Sequence, residues 1–223
     1  MPGTYRVFIG FDPRQPVAYN IAQFSVVRNA SQPVSITPLI LGQLPIKRRG
    51  LTEFTFSRFL VPYLSGFSGK SLFMDPDMIV TGDICELIDM ADPAEAPVHV
   101  MKDQPRFEWP SVMVFNNGCC KALTPGYVDN EENGMFDFAW SGRDGGKIGS
   151  FPAEWNHCIG YQEPKKAKLY HYTQGIPCWP ETMGIEDEPW QQTFRDAVST
   201  VSWQELMGGS IHAEAVMKRV NQS

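Results

Sequence analysis

The stretch Lys70-Ser-Leu-Phe-Met-Asp75-Pro-Asp77-Met-Ile-Val80 places two carboxylates, one residue apart, inside an otherwise apolar run. The apolar residues before Asp75 predict a buried strand. Because an ionised carboxylate is costly to bury, we expect Asp75 and Asp77 at the carboxyl edge of that strand. Ligands bind at this edge in open α/β sheets. The stretch therefore predicts a strand that ends in a polar site.

The two carboxylates also predict a metal ion. At a separation of about 4 Å they would repel by about 4 kcal/mol at an effective dielectric constant of about 20. A cation between them would allow both to remain ionised, and hard oxygen ligands suit Mg²⁺ or Mn²⁺. The structural alternative is that Asp-Pro-Asp forms only a turn, since both residue types favour turns.

Length and composition predict one α/β domain over residues 1–223. The alternation of strands and helices favours a mostly parallel central sheet flanked by helices, and an amphipathic pattern predicts a helical tail over about 189–223. No apolar run approaches the roughly 18 residues of a membrane span. The first residues lack a secretory pattern, which predicts a cytoplasmic protein. A net charge of −6 disfavours a nucleic-acid surface. Five cysteines without a C-x-x-C pair predict reduced thiols instead of a zinc or redox centre.

The first strand, Tyr5 to Asp12, ends in Gly10-Phe11-Asp12 and leads through a loop into a helix over Val17 to Asn29. A further strand follows over Ser35 to Leu41. This β-α-β order favours parallel pairing of the two strands. The Gly-Phe-Asp tripeptide is either part of a binding site or an ordinary turn after a strand.

An aromatic segment over Thr52 to Gly66 predicts a helix that contains Arg58. A guanidinium among aromatic residues is expected to reach a carboxylate or a phosphate. The alternative is a structural salt bridge. A second helix is predicted to begin after Asp83, a favourable capping residue.

Other polar residues follow predicted strands. Asp103 ends the strand that begins at Ala96, and Asn116 and Asn117 end the strand that begins at Ser111. The two amides can donate to and accept from sugar hydroxyls, or they belong to an Asn-Gly turn.

His171 ends a short strand from Ala167, and a short helix is predicted over Gly134 to Trp140. The neutral imidazole of His171 could complete a metal site begun by two aspartates. The alternative is a structural histidine.

In their order along the chain, these motifs resemble those of the family 8 glycosyltransferases, which include glycogenin and the bacterial lipopolysaccharide galactosyltransferases. The D-x-D frame of that family resembles Leu72 to Leu87, and its Tyr-x-Arg-Leu helix resembles Phe56 to Phe59. Its uridine-binding strand, its Phe-Asn-x-Gly motif and its C-terminal His motif resemble residues 7–12, 115–118 and 171–179. The resemblance spans residues 6–179 and implies a GT-A fold.

The resemblance implies that Asp75, Asp77 and His171 bind Mn²⁺ (or Mg²⁺), which holds the diphosphate of a UDP-sugar. It implies Asp137 as a catalytic candidate. The residues expected to contact the nucleotide sugar are Gly10, Phe11, Asp12, Arg58, Asp75, Asp103, Asn116, Asn117 and Gly175.

The implied activity is that of a metal-dependent, retaining glycosyltransferase of the hexosyltransferase type, which acts on a glycan, lipid or protein hydroxyl. The chain departs from the family pattern at three points. Pro177 stands where a phosphate-binding lysine is usual, Phe11 stands where an acid is usual, and no Asp-Gln pair is evident. The two alternatives are a non-catalytic binder of nucleotide sugars and a nucleotidyltransferase of similar fold.

Overall fold

A computed structural model describes residues 3–103, 105–132, 134–142, 147–177, 182 and 184–200 of the chain. Short 3₁₀ turns connect many of the regular elements. The helices are α1 (Pro16–Asn29), α2 (Val61–Leu64), α3 (Ile84–Met90), α4 (Pro125–Asn130) and α5 (Glu188–Thr200). The strands are β1 (Tyr5–Gly10), β2 (Val34–Leu39), β3 (Lys70–Met74), β4 (Met78–Val80), β5 (Val98–Val100), β6 (Val112–Asn116), β7 (Ile148–Ser150), β8 (His157–Cys158) and β9 (Leu169–His171).

The larger sheet has six strands in the order β2-β1-β3-β6-β5-β7. β1 pairs in parallel with β2 and β3, and β5 pairs in parallel with β7. β6 lies antiparallel to both of its neighbours, so it alone among these six strands runs in the opposite direction. The sheet is therefore mostly parallel, and the predicted α/β class is confirmed.

Both faces of this sheet are covered, which explains the continuous apolar run in β3. Side chains alternate between the two faces of a strand. Leu72 and Met74 pack with residues of α1 and α3 on one face. Phe73 packs on the other face in a cluster with Phe59 and Trp140, whose ring centroids are 6.2 Å apart.

A smaller sheet has the order β4-β9-β8. β4 pairs antiparallel with β9, and Met78 lies opposite His171. Because β3 belongs to the larger sheet and β4 to the smaller one, Asp75-Pro76-Asp77 forms the junction at which the chain passes between the two sheets. This junction brings His171 beside the two aspartates.

The predicted helix over Thr52 to Gly66 is wrong in its extent. The structure has turns, a short 3₁₀ segment over Ser57–Leu60 and only the single turn of α2. Pro62 has no N–H to donate to a carbonyl four residues earlier, which prevents a continuous helix through this point. Asp83 does cap α3, since its side chain accepts a hydrogen bond from the backbone N–H of Cys85 at 3.0 Å.

The helix predicted over Gly134 to Trp140 is also wrong. Phe138 has a φ of 57°, in the left-handed region, and only a 3₁₀ turn over Ala139–Ser141 follows it. A left-handed residue interrupts a right-handed helix, since L-residues visit that region singly. Phe138 is fully buried against Trp140, so aromatic packing determines the local backbone.

The reversal of β6 corrects the expected position of two amides. Lys70, the first residue of β3, lies opposite Asn116, the last residue of β6. Asn116 and Asn117 therefore lie at the amino edge of β3, whereas Asp75 follows its carboxyl edge. The expectation that these amides join Asp75 at one edge is wrong, because an apolar run does not specify the direction of its strand.

The two amides instead connect loops at the amino edge. The Asn117 side chain donates to the carbonyl of Ser68 at 3.0 Å and to the hydroxyl of Ser71 at 2.9 Å. The Asn116 side chain donates to the carbonyl of Ala96 at 2.5 Å. Both asparagines are buried, which is consistent with a structural role.

Helix α5 lies in the segment of the predicted helical tail, and its Trp190 packs in a cluster with Ala18 and Ile21 of α1. The rest of that tail, residues 201–223, lies outside the described residues. None of the described helices combines the length and the apolar character needed to cross a bilayer. The single domain and the cytoplasmic location stay predictions.

We expect Asn117→Ala to lower the free energy of unfolding by about 1–3 kcal/mol, because the substitution leaves buried partners of the amide unsatisfied. Chemical denaturation measures this loss. The matched control is Cys119→Ala in the same turn, at an exposed position, which should change stability by less than about 0.5 kcal/mol. Equal effects of the two substitutions would contradict the structural role of Asn117.

Candidate metal and donor site

Asp75, Asp77 and His171 meet at the junction of the two sheets. One ligand atom from each lies within 4.8 Å of those from the other two. The Nε2 atom of His171 is 3.5 Å from Oδ1 of Asp77. Asp75 and His171 are buried, and the Asp77 side chain is 28% exposed, so the group faces solvent on the Asp77 side.

Two oxygen atoms of this group fit a cation. Oδ1 of Asp75 and Oδ1 of Asp77 are buried, and neither accepts a hydrogen bond within the described part of the chain. The Arg58 guanidinium forms an ion pair with Oδ1 of Asp75 at 3.0 Å, and its Nη1 atom donates to the other oxygen, Oδ2, at 3.5 Å. Two carboxylates and one imidazole match the ligand preference of Mn²⁺ or Mg²⁺, so these residues fit the predicted metal.

Arg58 supports Asp75 from inside the protein. Its Nη1 atom donates to the carbonyl of Pro110 at 2.8 Å, and its Nε atom donates to the carbonyl of Phe54 at 3.2 Å. The guanidinium also lies 4.9 Å from the ring centroid of Phe73. Because Arg58 is buried and engaged in this way, its geometry favours the structural salt bridge over a direct phosphate contact.

Burial shifts the protonation equilibria of this group. It raises the pKa of the Asp75 carboxyl to about 7, although the Arg58 guanidinium opposes that shift. Burial alone would lower the pKa of His171, but Asp77 and Cys158 together outweigh burial, and the pKa of His171 lies well above its ordinary value. The metal-free site therefore holds protons that a cation would displace.

The other ring nitrogen of His171 faces a second set of buried groups, which we did not identify from the sequence. Nδ1 lies 3.2 Å from Oδ1 of Asn156, 3.6 Å from Oε2 of Glu108 and 3.7 Å from Sγ of Cys158. The Asn156 amide is oriented by Ser111, whose hydroxyl accepts from Nδ2 of Asn156 at 2.9 Å.

The sequence did not indicate Glu108 or Cys158 as site residues, for two different reasons. Glu108 precedes β6, and only the reversed direction of that strand places its beginning beside Asp75, as the hydrogen bond from the Asp75 N–H to the Ser111 carbonyl shows (3.0 Å). Cys158 lies opposite His171 in the pairing of β8 with β9. Two strands as short as these carry little signal in a sequence.

The first strand ends at the same edge as β3, because Ile9 lies beside Met74 in a parallel pair. Gly10, Phe11 and Asp12 therefore share an edge with Asp75. A Cβ atom on Gly10 would come within 2.6 Å of the Phe54 ring, so this position accepts only glycine without rearrangement.

Asp12 and Phe11 are held in place within the edge. The Asp12 carboxylate accepts from the backbone N–H of Arg14 at 2.9 Å and from its guanidinium at 2.6 Å. The side-chain hydrogen bond from Arg14 lowers the pKa of Asp12 and outweighs burial, which acts in the opposite direction. The Phe11 ring packs edge-on against Tyr19, with ring centroids 5.4 Å apart.

Four other positions singled out in the sequence lie in separate loops. Asp103 is exposed beyond β5, which runs in the same direction as β3. The exposed Asp137 carboxylate pairs with Arg106 at 3.1 Å. Gly175, with a φ of 117°, forms a turn after β9. Pro177 is buried, and its carbonyl accepts from the Gln191 side chain at 2.7 Å. The final tryptophan of the C-terminal motif, at position 179, lies outside the described residues.

Comparison with known proteins identifies one similar sequence and several similar structures. No protein-family model matches the chain. Protein CDI of Arabidopsis thaliana is 34% identical over 207 residues, which cover 78% of this chain and 79% of that protein.

Among solved structures, the glycosyltransferase GlyE of Streptococcus pneumoniae TIGR4 superposes with a TM-score of 0.63 at 18% identity, over 90% of this chain and 63% of GlyE. This chain therefore spans less than two thirds of the length of GlyE. The galactosyltransferase LgtC, solved with donor and acceptor sugar analogues, superposes with a TM-score of 0.57 at 11% identity, over 92% of this chain and 99% of LgtC. These similarities confirm the predicted GT-A fold.

We expect Arg58→Lys to lower the free energy of unfolding by about 1–3 kcal/mol, because an ammonium cannot reach the Asp75 carboxylate and two carbonyls at once. Thermal denaturation measures the change. Arg28→Lys is the matched control, since Arg28 is half exposed and pairs with Asp196 at the surface. A loss no greater for Arg58→Lys than for the control would show that the buried contacts of Arg58 do not support the fold.

We also expect the affinity for Mn²⁺ to fall by at least about tenfold per pH unit as the pH is lowered below about 7. The pKa values of Asp75 and His171 are both raised, so lowering the pH protonates the ligands and opposes binding. The pKa of free histidine, about 6.5, therefore understates the pH at which affinity begins to fall.

Calorimetry at several pH values tests this dependence. His171→Gln should weaken binding and flatten its pH dependence, because only Asp75 then has to lose a proton. The control is His157→Gln, since His157 is also buried but contacts Gln162 and Glu186 instead of the aspartates. An unchanged affinity in His171→Gln, or a lost affinity in His157→Gln, would contradict the assignment.

Proposed function

The chain belongs to the family of the Arabidopsis thaliana Protein CDI, and from that premise and its GT-A fold we propose that it is a metal-dependent glycosyltransferase. We propose that it is a retaining enzyme of the family 8 type. The donor would be a UDP-sugar with a hexosyl group, and the acceptor would be a hydroxyl of a glycan, lipid or protein.

One observation carries this proposal. Asp75 and Asp77 lie far from His171 in the sequence, yet their ligand atoms lie within 4.8 Å of one another at the carboxyl edge of the central sheet. Two of the carboxylate oxygens are buried without a hydrogen-bond donor among the described residues. Because unsatisfied buried oxygens are costly, this arrangement favours a bound cation over a simple turn.

In the proposed reaction, the bond between the anomeric carbon and the diphosphate oxygen breaks, and the acceptor oxygen forms the new bond to that carbon. The proton of the acceptor hydroxyl passes to the departing diphosphate. A bound Mn²⁺ would supply charge stabilisation to the departing diphosphate. Asp75, Asp77 and His171 would hold the ion at the sheet edge. Arg58 would act on Asp75, whose carboxylate it fixes at 3.0 Å, and not directly on the donor.

The donor would extend across the edge formed by β1 and β3. Gly10 leaves room for the backbone to approach Phe54 closely, and Phe11 and Asp12 follow it at the position proposed for the uridine. Asp103 and Gly175 are proposed contacts of the sugar and the diphosphate. Asn116 and Asn117 are not among the proposed donor contacts, since they lie at the amino end of β3, away from Asp75.

We retain Asp137 as the candidate catalytic carboxylate. It pairs with Arg106, which precedes Glu108 by two residues, and Glu108 contacts His171. Its side chain is 69% exposed and can therefore face an incoming acceptor.

A second candidate function is the non-catalytic binding of nucleotide sugars. The observation that favours it is the burial of Pro177, at the position where a phosphate-binding lysine is usual. Without that cation the leaving diphosphate would have one favourable contact fewer. Such a protein would bind UDP with metal and release no UDP from a donor.

Incubation with Mn²⁺ and a panel of nucleotide sugars tests the proposal, with UDP and pyrophosphate measured separately. We expect UDP to be released from one or more UDP-sugars and no pyrophosphate. Asp77→Asn should reduce this release by at least about hundredfold, since removal of a metal ligand removes charge stabilisation of the leaving group.

Asp92→Asn is the matched control, because Asp92 is exposed and its carboxylate accepts from the N–H of Ala94 at 2.8 Å. It should release UDP at the wild-type rate. Pyrophosphate as the product would indicate a nucleotidyltransferase. Metal-dependent UDP binding without UDP release from any donor would indicate the non-catalytic binder.

A further inference from the structure

A second group of possible ligands lies on the other side of the His171 ring. Oε2 of Glu108 and Sγ of Cys158 lie 3.6 Å and 3.7 Å from Nδ1 of His171. All three ligand atoms lie within 4.8 Å of one another, and all three residues are buried. The proposed transfer reaction uses neither Glu108 nor Cys158.

These distances suit a tetrahedral ion. With Zn–S of about 2.3 Å and Zn–N of about 2.0 Å, adjacent ligands of a tetrahedral zinc ion lie about 3.3–3.7 Å apart. Oδ1 of Asn156 lies 3.2 Å from the same Nδ1 atom and 3.7 Å from Sγ of Cys158, in the position of a fourth ligand. These four distances are close to the spacing that one tetrahedral ion requires, and the Glu108 and Cys158 ligand atoms lie within 4.8 Å of each other.

The ligand types distinguish this group from the aspartate group. A thiolate, an imidazole and a carboxylate favour Zn²⁺, whereas Mg²⁺ and Mn²⁺ prefer the oxygen-rich set of Asp75 and Asp77. No C-x-x-C pair marks the site, because its three ligands come from separate parts of the chain.

We propose that Glu108, Cys158 and His171 form a second cation site, selective for Zn²⁺, which uses Nδ1 of the histidine that serves the first site through Nε2. Glu108 precedes β6, Cys158 ends β8 and His171 ends β9, so the fold assembles the site from three elements.

The shared histidine makes the two sites mutually exclusive, a consequence that rests on the proposed function of the first site. A neutral imidazole has one bare nitrogen, and the other carries a proton. With Zn²⁺ on Nδ1, the Nε2–H group faces Oδ1 of Asp77 at 3.5 Å, and a carboxylate that accepts from a zinc-bound histidine is a common arrangement. When Zn²⁺ occupies the second site, Nε2 of His171 carries the proton and cannot coordinate an ion in the first site.

Co²⁺ is the probe for the second site, because a thiolate bound to Co²⁺ gives a charge-transfer absorption that oxygen and nitrogen ligands do not give. We expect this absorption in the wild-type protein and in Asp77→Asn. We expect its loss in Cys158→Ser, and in Cys158→Ala if the serine variant does not fold. Cys119→Ser is the matched control, since Cys119 is exposed, and should retain the absorption.

An absence of the absorption in the wild-type protein, or its persistence without Cys158, would overturn the proposed site. Asp77→Asn lacks a ligand of the first site. The absorption in that variant therefore tests metal binding at the second site even if the first site binds no metal.

Displacement of Mn²⁺, followed by electron paramagnetic resonance, tests the exclusion. We compare the Zn²⁺ concentration that releases half of the bound Mn²⁺ in two proteins. This concentration should be at least about tenfold lower for the wild-type protein than for Cys158→Ser, because Zn²⁺ has lost its thiolate ligand in the variant. Equal Zn²⁺ concentrations in the two proteins would overturn the exclusion. A wild-type protein that binds no Mn²⁺ would overturn both the exclusion and the proposed metal dependence.

Discussion

Asp75, which is buried, and Asp77, which is partly exposed, place two carboxylates where the chain passes from one sheet to the other, and the surrounding side chains have to accommodate this charge. Asp75 follows a strand of the larger sheet, and two residues later Asp77 precedes a strand of the smaller one. Glu108 adds a second buried acid, and its pKa is raised, chiefly by burial. Arg58 and His171 are the cationic partners within reach of these acids among the described residues. A divalent ion would complete the balance of charge.

The order of the first elements could be predicted from the sequence because each leaves a local signal. The alternation of strand and helix from Tyr5 to Leu39 and the cap at Asp83 depend on residues that are close together in the chain. The position of Asp75 at a strand end followed from the cost of burying a carboxylate within the strand. The meeting of Asp75 and His171 was suggested by their residue types as metal ligands and by the resemblance to a family, since no local pattern connects two residues so far apart in the chain.

The errors arose where the determining contacts are distant in the sequence. The direction of β6 depends on its pairing with β3 and β5, and its apolar run would fit either direction. That direction removes Asn116 from the site and brings Glu108 into it. In the same way, the left-handed Phe138 is explained by its burial against Trp140, which the helical spacing of the segment does not reveal.

Asp75, Asp77 and His171 are proposed to bind one divalent ion together. Anomalous X-ray diffraction from crystals grown with Mn²⁺ and UDP would locate that ion. We expect one Mn²⁺ peak at about 2.0–2.3 Å from a carboxylate oxygen of each aspartate and from Nε2 of His171. A Mn²⁺ peak that contacts none of these three residues, with UDP bound elsewhere on the protein, would contradict it.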